Sequence, residues 1–144
     1  MPNILHFGFF HIFYNTIFAL IFGSMLESMV GNLKMMYIWV LSGLAGVLFS
    51  SLLDDNPSVG ASTSLMGIMG GFLAFLTINW KALKNQETSR CMLLIIIILV
   101  LVIQLSIGLS AVNADNYGHL GGLIFGYFLT LPVISILPSE AGRH

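Results

Sequence analysis

The sequence predicts an all-α polytopic membrane protein in a single domain spanning residues 1–144, and three observations carry that reading. First, 57% of the residues are hydrophobic and only 8% are charged, where a soluble domain carries about 25% charged residues. Second, five stretches approach the ~20 apolar residues that a helix needs to cross ~30 Å of hydrocarbon. They are Phe7–Leu26, Met35–Leu53, Ser62–Ile78, Cys91–Leu109 and His119–Leu137. Third, the connections between them are short: Glu27–Lys34, Asp54–Ala61, Asn79–Arg90 and Ser110–Gly118. Lipid offers no partner to bare N–H and C=O groups, so each stretch is expected to be a helix.

The first stretch opens on polar residues. His11 and Asn15 lie four apart and share one helical face, with His6 near the surface before them. The second, Met35–Leu53, is apolar with small residues in its middle. The third begins at Ser62, just after "VGA", where glycine lets the backbone turn tightly. Ser62, Met66 and Gly70 fall on a common face, and Gly67 and Gly71 are spaced as a small-xxx-small pair. The fourth is apolar apart from Gln104, which reads as an interhelical hydrogen-bonding residue. The fifth opens on His119, followed by Gly122 and Gly126 on one stripe. Glycine stripes of this kind bring two membrane helices into backbone contact. Packing of the third helix on the fifth would put Ser62 and His119 at one depth.

In an alternating topology all five basic residues, Lys34, Lys81, Lys84, Arg90 and Arg143, fall on one side, and Asp54, Asp55 and Asp115 fall on the other. The positive-inside rule makes the basic side cytoplasmic or its equivalent. The starts of the first, third and fifth helices then lie toward the outer or lumenal face, and the polar groups gather there. No basic patch points to nucleic acid. A single cysteine, Cys91, excludes an internal disulfide framework. A channel would carry polar residues through the full thickness, whereas the inner halves of these helices are apolar.

Ionisable groups inside a bilayer are costly and mark function by default. A serine hydroxyl becomes a nucleophile when a base takes its proton, and histidine is the usual base. The oxyanion that forms then needs hydrogen-bond donors, and His11, Asn15 and the Ser62 N–H stand at the required depth. Ser62 with His119 is the candidate catalytic dyad. Asp115, four residues before His119, is the one acid placed to orient the histidine, and a solvated loop acid is the expected reading.

These residues resemble the rhomboid family of intramembrane serine proteases. "HFGFFHIFYN" is similar to the family's signature of a histidine followed by histidine and asparagine four apart. "GLAG" at 43–46 is similar to a small-residue family helix, "GAS" at 60–62 to the nucleophile motif, and "HLGGLIFG" to the base-bearing last helix. The resemblance implies a rhomboid-like helical bundle, five predicted transmembrane helices of a six-helix core, with the family's first helix absent and the chain truncated at its amino end. It implies Ser62 as nucleophile, His119 as general base and acid, and His11 and Asn15 in the oxyanion hole. It further implies membrane-anchored protein substrates and no metal or cofactor. Thr63, where the family commonly has glycine, is expected to narrow the approach to Ser62. Met66 stands where the residue beside the base is often aromatic. The competing reading is a catalytically inactive relative that binds or escorts membrane proteins.

Overall fold

The computed structural model describes residues 2–53, 61–110 and 115–137, with the side chains of residues 2–11, 85–89, 105 and 107–110 left outside that description. Among these residues the chain forms five α-helices and no strand: α1 (Pro2–Val30), α2 (Asn32–Leu53), α3 (Ala61–Asn79), α4 (Glu87–Ser110) and α5 (Asn116–Thr130). A 3-10 turn (Ala82–Gln86) precedes α4. Three helices are long and apolar enough to cross a membrane: α1 (within Ile12–Val30), α2 and α3. α4 adds a shorter apolar stretch, Arg90–Gln104. The expected outer loop at Asp54–Gly60 lies outside the described residues.

Two helix ends differ from the hydropathy reading. The expected loop Glu27–Lys34 shrinks to one residue, Gly31, at φ +92°. That left-handed conformation suits glycine and ends α1. The Gly31 N–H donates to the Glu27 carbonyl at 2.7 Å, and its own carbonyl accepts from the Met35 N–H at 2.9 Å, so one residue closes α1 and opens α2. Hydropathy marks where lipid begins, not where helical hydrogen bonding stops. At the other end, α5 stops at Thr130 instead of Leu137. Pro132 has no N–H to continue the ladder, and its ring crowds the carbonyl four residues back. The Val133 and Ile134 N–H groups both turn back to the Thr130 carbonyl at 3.0 Å.

α3 sits at the centre. Of its span 72% is buried, against 17% for α1 and 28% for α2. α1 and α3 run parallel: Gly23 lies against Ile68 and Leu26 against Gly71, the same offset of 45 residues (68 − 23 and 71 − 26). α2 runs antiparallel to α3, with Gly46 against Thr63 and Ser42 against Gly67. α3 and α5 are again parallel, Thr63 meeting Gly122 and Gly67 meeting Gly126 one turn further on. The apolar core lies mainly among α1, α2 and α3, around Phe22, Leu26, Ile38, Ile68 and Phe72, with Leu93 and Ile97 added from α4. The outward faces carry exposed Leu20, Leu44, Leu48, Ile95, Leu99 and Phe128, as suits helices whose solvent is lipid.

Among the described residues α3 and α5 meet backbone to backbone. A Cβ on Gly126 would collide with the Gly67 carbonyl and Cα, and one on Gly70 with the backbone of Leu123, Gly126 and Tyr127. A Cβ on Gly23 meets only the flexible Met35 methyl at 3.1 Å and Ile68 Cδ1 at 3.8 Å. Gly126→Ala is therefore expected to cost about 1–3 kcal/mol by forcing backbone apart, whereas Gly23→Ala leaves stability near that of the parent. Thermal unfolding of the two variants in mild detergent checks this, and equal melting temperatures would refute it.

Candidate active site

Ser62 is the second residue of α3, and His119 the fourth of α5. Parallel helices in backbone contact bring these two starts together. Ser62 Oγ and His119 Nε2 share a hydrogen bond of 2.8 Å. Ser62 is 7% exposed, and His119 is half-buried. The first N–H groups of a helix have no partner within it, and Ser62 stands among them on α3.

The register of α5 is fixed from α2. Asp115 caps α5: its Oδ1 accepts from the Gly118 N–H at 2.6 Å and from the Ser50 hydroxyl at 2.6 Å. The Asp115 carbonyl accepts from the His119 N–H at 3.1 Å. Asp115 is thus neither a solvated loop acid nor the partner of the imidazole. It is half-buried and spent on holding the turn that carries His119. Its Oδ2 is buried without a hydrogen-bond partner. Sequence reasoning missed this latch. An aspartate just before a helix is the N-cap signal that announces half of it, while Ser50 lies 65 residues away and gives no local sign.

Thr63 does not narrow the approach to Ser62 as expected. Its side chain is 1% exposed, with the methyl packed at Gly46 of α2 and the carbonyl at Gly122 of α5. It fills the seam among three helices instead. Met66, on the same α3 face as Ser62, is buried, with its Cβ on the Gly122 side.

Asn15 is half-buried on α1. The 45-residue offset between α1 and α3 puts Ser62 level with residue 17 (62 − 45), so Asn15 lies about 3 Å from that level along the axis, at 1.5 Å per residue. His6 and His11 are on α1, and their side chains lie outside the described residues. Among the described residues no group of three or more His, Cys, Asp or Glu side chains comes together as a metal would require.

The far end of the pair is closed by a residue the sequence did not flag. Asn79, 1% exposed at the end of α3, donates to the Ser135 carbonyl at 3.3 Å and accepts from the Leu137 N–H at 2.7 Å. A buried asparagine paired on both sides ties the segment after α5 to α3.

The Ser–His pair lies at the mouth of two glycine-packed helices. The rhomboid-domain family pattern matches residues 1–136. The chain belongs to the rhomboid family. It is 38% identical over 128 residues to RHOMBOID-like protein 5 of Arabidopsis thaliana, covering 87% of this chain and 40% of that protein. It is 37% identical over 126 residues to the same plant's RHOMBOID-like protein 6, mitochondrial, covering 87% of this chain and 39% of that one. With Rhomboid protease GluP of Bacillus subtilis (strain 168) it shares 33% identity over 127 residues, 88% of this chain and 24% of that protein. The chain therefore spans two fifths or less of the length of these relatives. No solved structure matches it.

The latch makes a prediction. Asp115→Ala is expected to lower stability by about 1 kcal/mol, the usual worth of an N-cap, and Ser50→Ala by less, because the cap itself survives. Chemical denaturation in detergent measures both; an Asp115→Ala protein as stable as the parent would rule out the capping role.

Proposed function

We propose that this chain is the catalytic core of an intramembrane serine endopeptidase that cuts membrane-anchored proteins at or near a transmembrane helix. The observation that carries the reading is the 2.8 Å hydrogen bond between Ser62 Oγ and His119 Nε2, in a family that includes a bacterial rhomboid protease. With its Nε2 unprotonated, His119 accepts the Ser62 proton as Oγ attacks the scissile carbonyl. The carbonyl oxygen becomes an oxyanion. The Ser62 N–H at the start of α3 donates to it, and Asn15 and His11 add side-chain donors from α1. His119 then passes the proton to the leaving amine and the C–N bond breaks. A second round, with water as the nucleophile and His119 again as base, hydrolyses the acyl-enzyme and frees Ser62.

Asp115 is not called on as a proton acceptor in these steps, since its side chain holds Gly118 and Ser50. Burial of Ser62 in a water-poor site strengthens each of these electrostatic contacts. In this reading the dyad opens toward the outer or lumenal face, opposite the basic loops.

Cleavage of a model membrane-anchored substrate in proteoliposomes tests the proposal. Ser62→Ala and His119→Ala are each expected to abolish measurable turnover, because members of a catalytic unit fail together. Asn15→Ala is expected to retain cleavage at a rate lower by roughly 100-fold, the scale of one oxyanion donor. Undiminished cleavage by Ser62→Ala would overturn the assignment, and a folded parent that cleaves nothing would favour a binding or escort role.

A further inference from the structure

At the opposite end of α3 from Ser62, a cleft of about 610 Å³ opens between α3 and α4. Leu73, Leu76, Thr77 and Ile78 line it along α3, Leu94 lines it from α4, and Trp80 and Lys81 stand where the chain leaves α3. From Leu73 to the end of α3 at Asn79 is six residues, about 9 Å at helical rise, which is enough to accommodate the upper part of a fatty acyl chain. The cleft exists because α4 touches α3 along far less of its length than α2 and α5 do. In a bilayer such a gap does not stay empty, since its lining would lose dispersion contacts outright.

The polar end of the cleft has its own character. Trp80 is 38% exposed and is held in place by Arg90, whose guanidinium lies 4.7 Å from the indole centroid. The Arg90 Nη1 also donates to the Trp80 carbonyl at 3.3 Å. Lys81 and Lys84 are exposed beside them. Residues 81–90 carry three basic groups and one acid, Glu87, so this rim is positive. An interfacial tryptophan and a basic rim over an apolar slot match the two ends of one molecule. Basic pockets between membrane helices bind anionic headgroups.

We propose that the α3–α4 cleft is a binding site for a phospholipid with an anionic headgroup. Its phosphate sits by Lys81 and Trp80, and one acyl chain lies along Leu73, Leu76 and Leu94. The site is separate from the Ser62–His119 pair and does not depend on the function proposed for it.

The chain has two tryptophans, Trp39 and Trp80, so Trp39→Phe leaves Trp80 as the sole tryptophan, excited at the red edge of its absorption where tyrosine absorbs little. That protein is reconstituted in neutral phosphatidylcholine with rising fractions of phosphatidylglycerol brominated on its acyl chains, and in parallel with brominated phosphatidylcholine. Half-quenching of Trp80 is expected at about a five-fold lower fraction of the brominated anionic lipid, the effect of ~1 kcal/mol from one basic residue. Adding Lys81→Gln is expected to bring the two lipids within two-fold of each other. Equal quenching by both lipids in the parent, or a preference that Lys81→Gln leaves intact, would overturn the site.

Discussion

The backbone of α5 rests on the backbone of α3 where Gly126 meets Gly67, and the remaining geometry depends on that contact. Membrane helices gain nothing by hiding apolar surface from lipid, which is as apolar as they are; they associate through close packing and interhelical hydrogen bonds. Glycine on both sides lets two helices approach until main chain touches main chain. Because the helices run parallel, whatever stands at the start of one is delivered to the start of the other. Ser62 and His119 meet for that reason, with no local feature drawing them together.

Contact in the middle does not fix the register, and the ends supply it. At one end Ser50 of α2 and Asp115 pin the turn ahead of His119. At the other, Asn79 holds the chain after α5 by both the nitrogen and the oxygen of its side-chain amide. Thr63 and Gly46 bring α2 into the same seam. Each interhelical hydrogen bond adds only about 0.6 kcal/mol in a membrane, so the arrangement relies on several small terms that agree. α4 stands apart from this tightly joined group and leaves a cleft beside α3.

Much of this was legible in the sequence, for identifiable reasons. The glycine stripes at Gly67 and Gly126, with Ser62 and His119 one to two turns before them, are periodic signals on single helices, and parallel packing converts them into a site. The fold class followed from hydropathy, which a bilayer makes close to decisive. Helix ends were less legible, because hydrogen bonding runs past the lipid boundary through Val30 and Asn32 and stops early at Pro132. Residues whose roles depend on distant partners were not legible at all. Asn79 read as the edge of a loop, Asp115 as a solvated acid, and Thr63 as an obstruction, since nothing near them names Ser135, Ser50 or Gly46.

The central claim is that Ser62 is an activated nucleophile, and labelling by a fluorophosphonate tests it most directly without any knowledge of the substrate. The purified chain in mild detergent is exposed to the probe and digested, and the modified peptide is identified by mass spectrometry. A single adduct on Ser62 is expected, and it disappears when His119 is replaced by alanine. A folded protein that takes no label at Ser62, or takes it equally without His119, would contradict it.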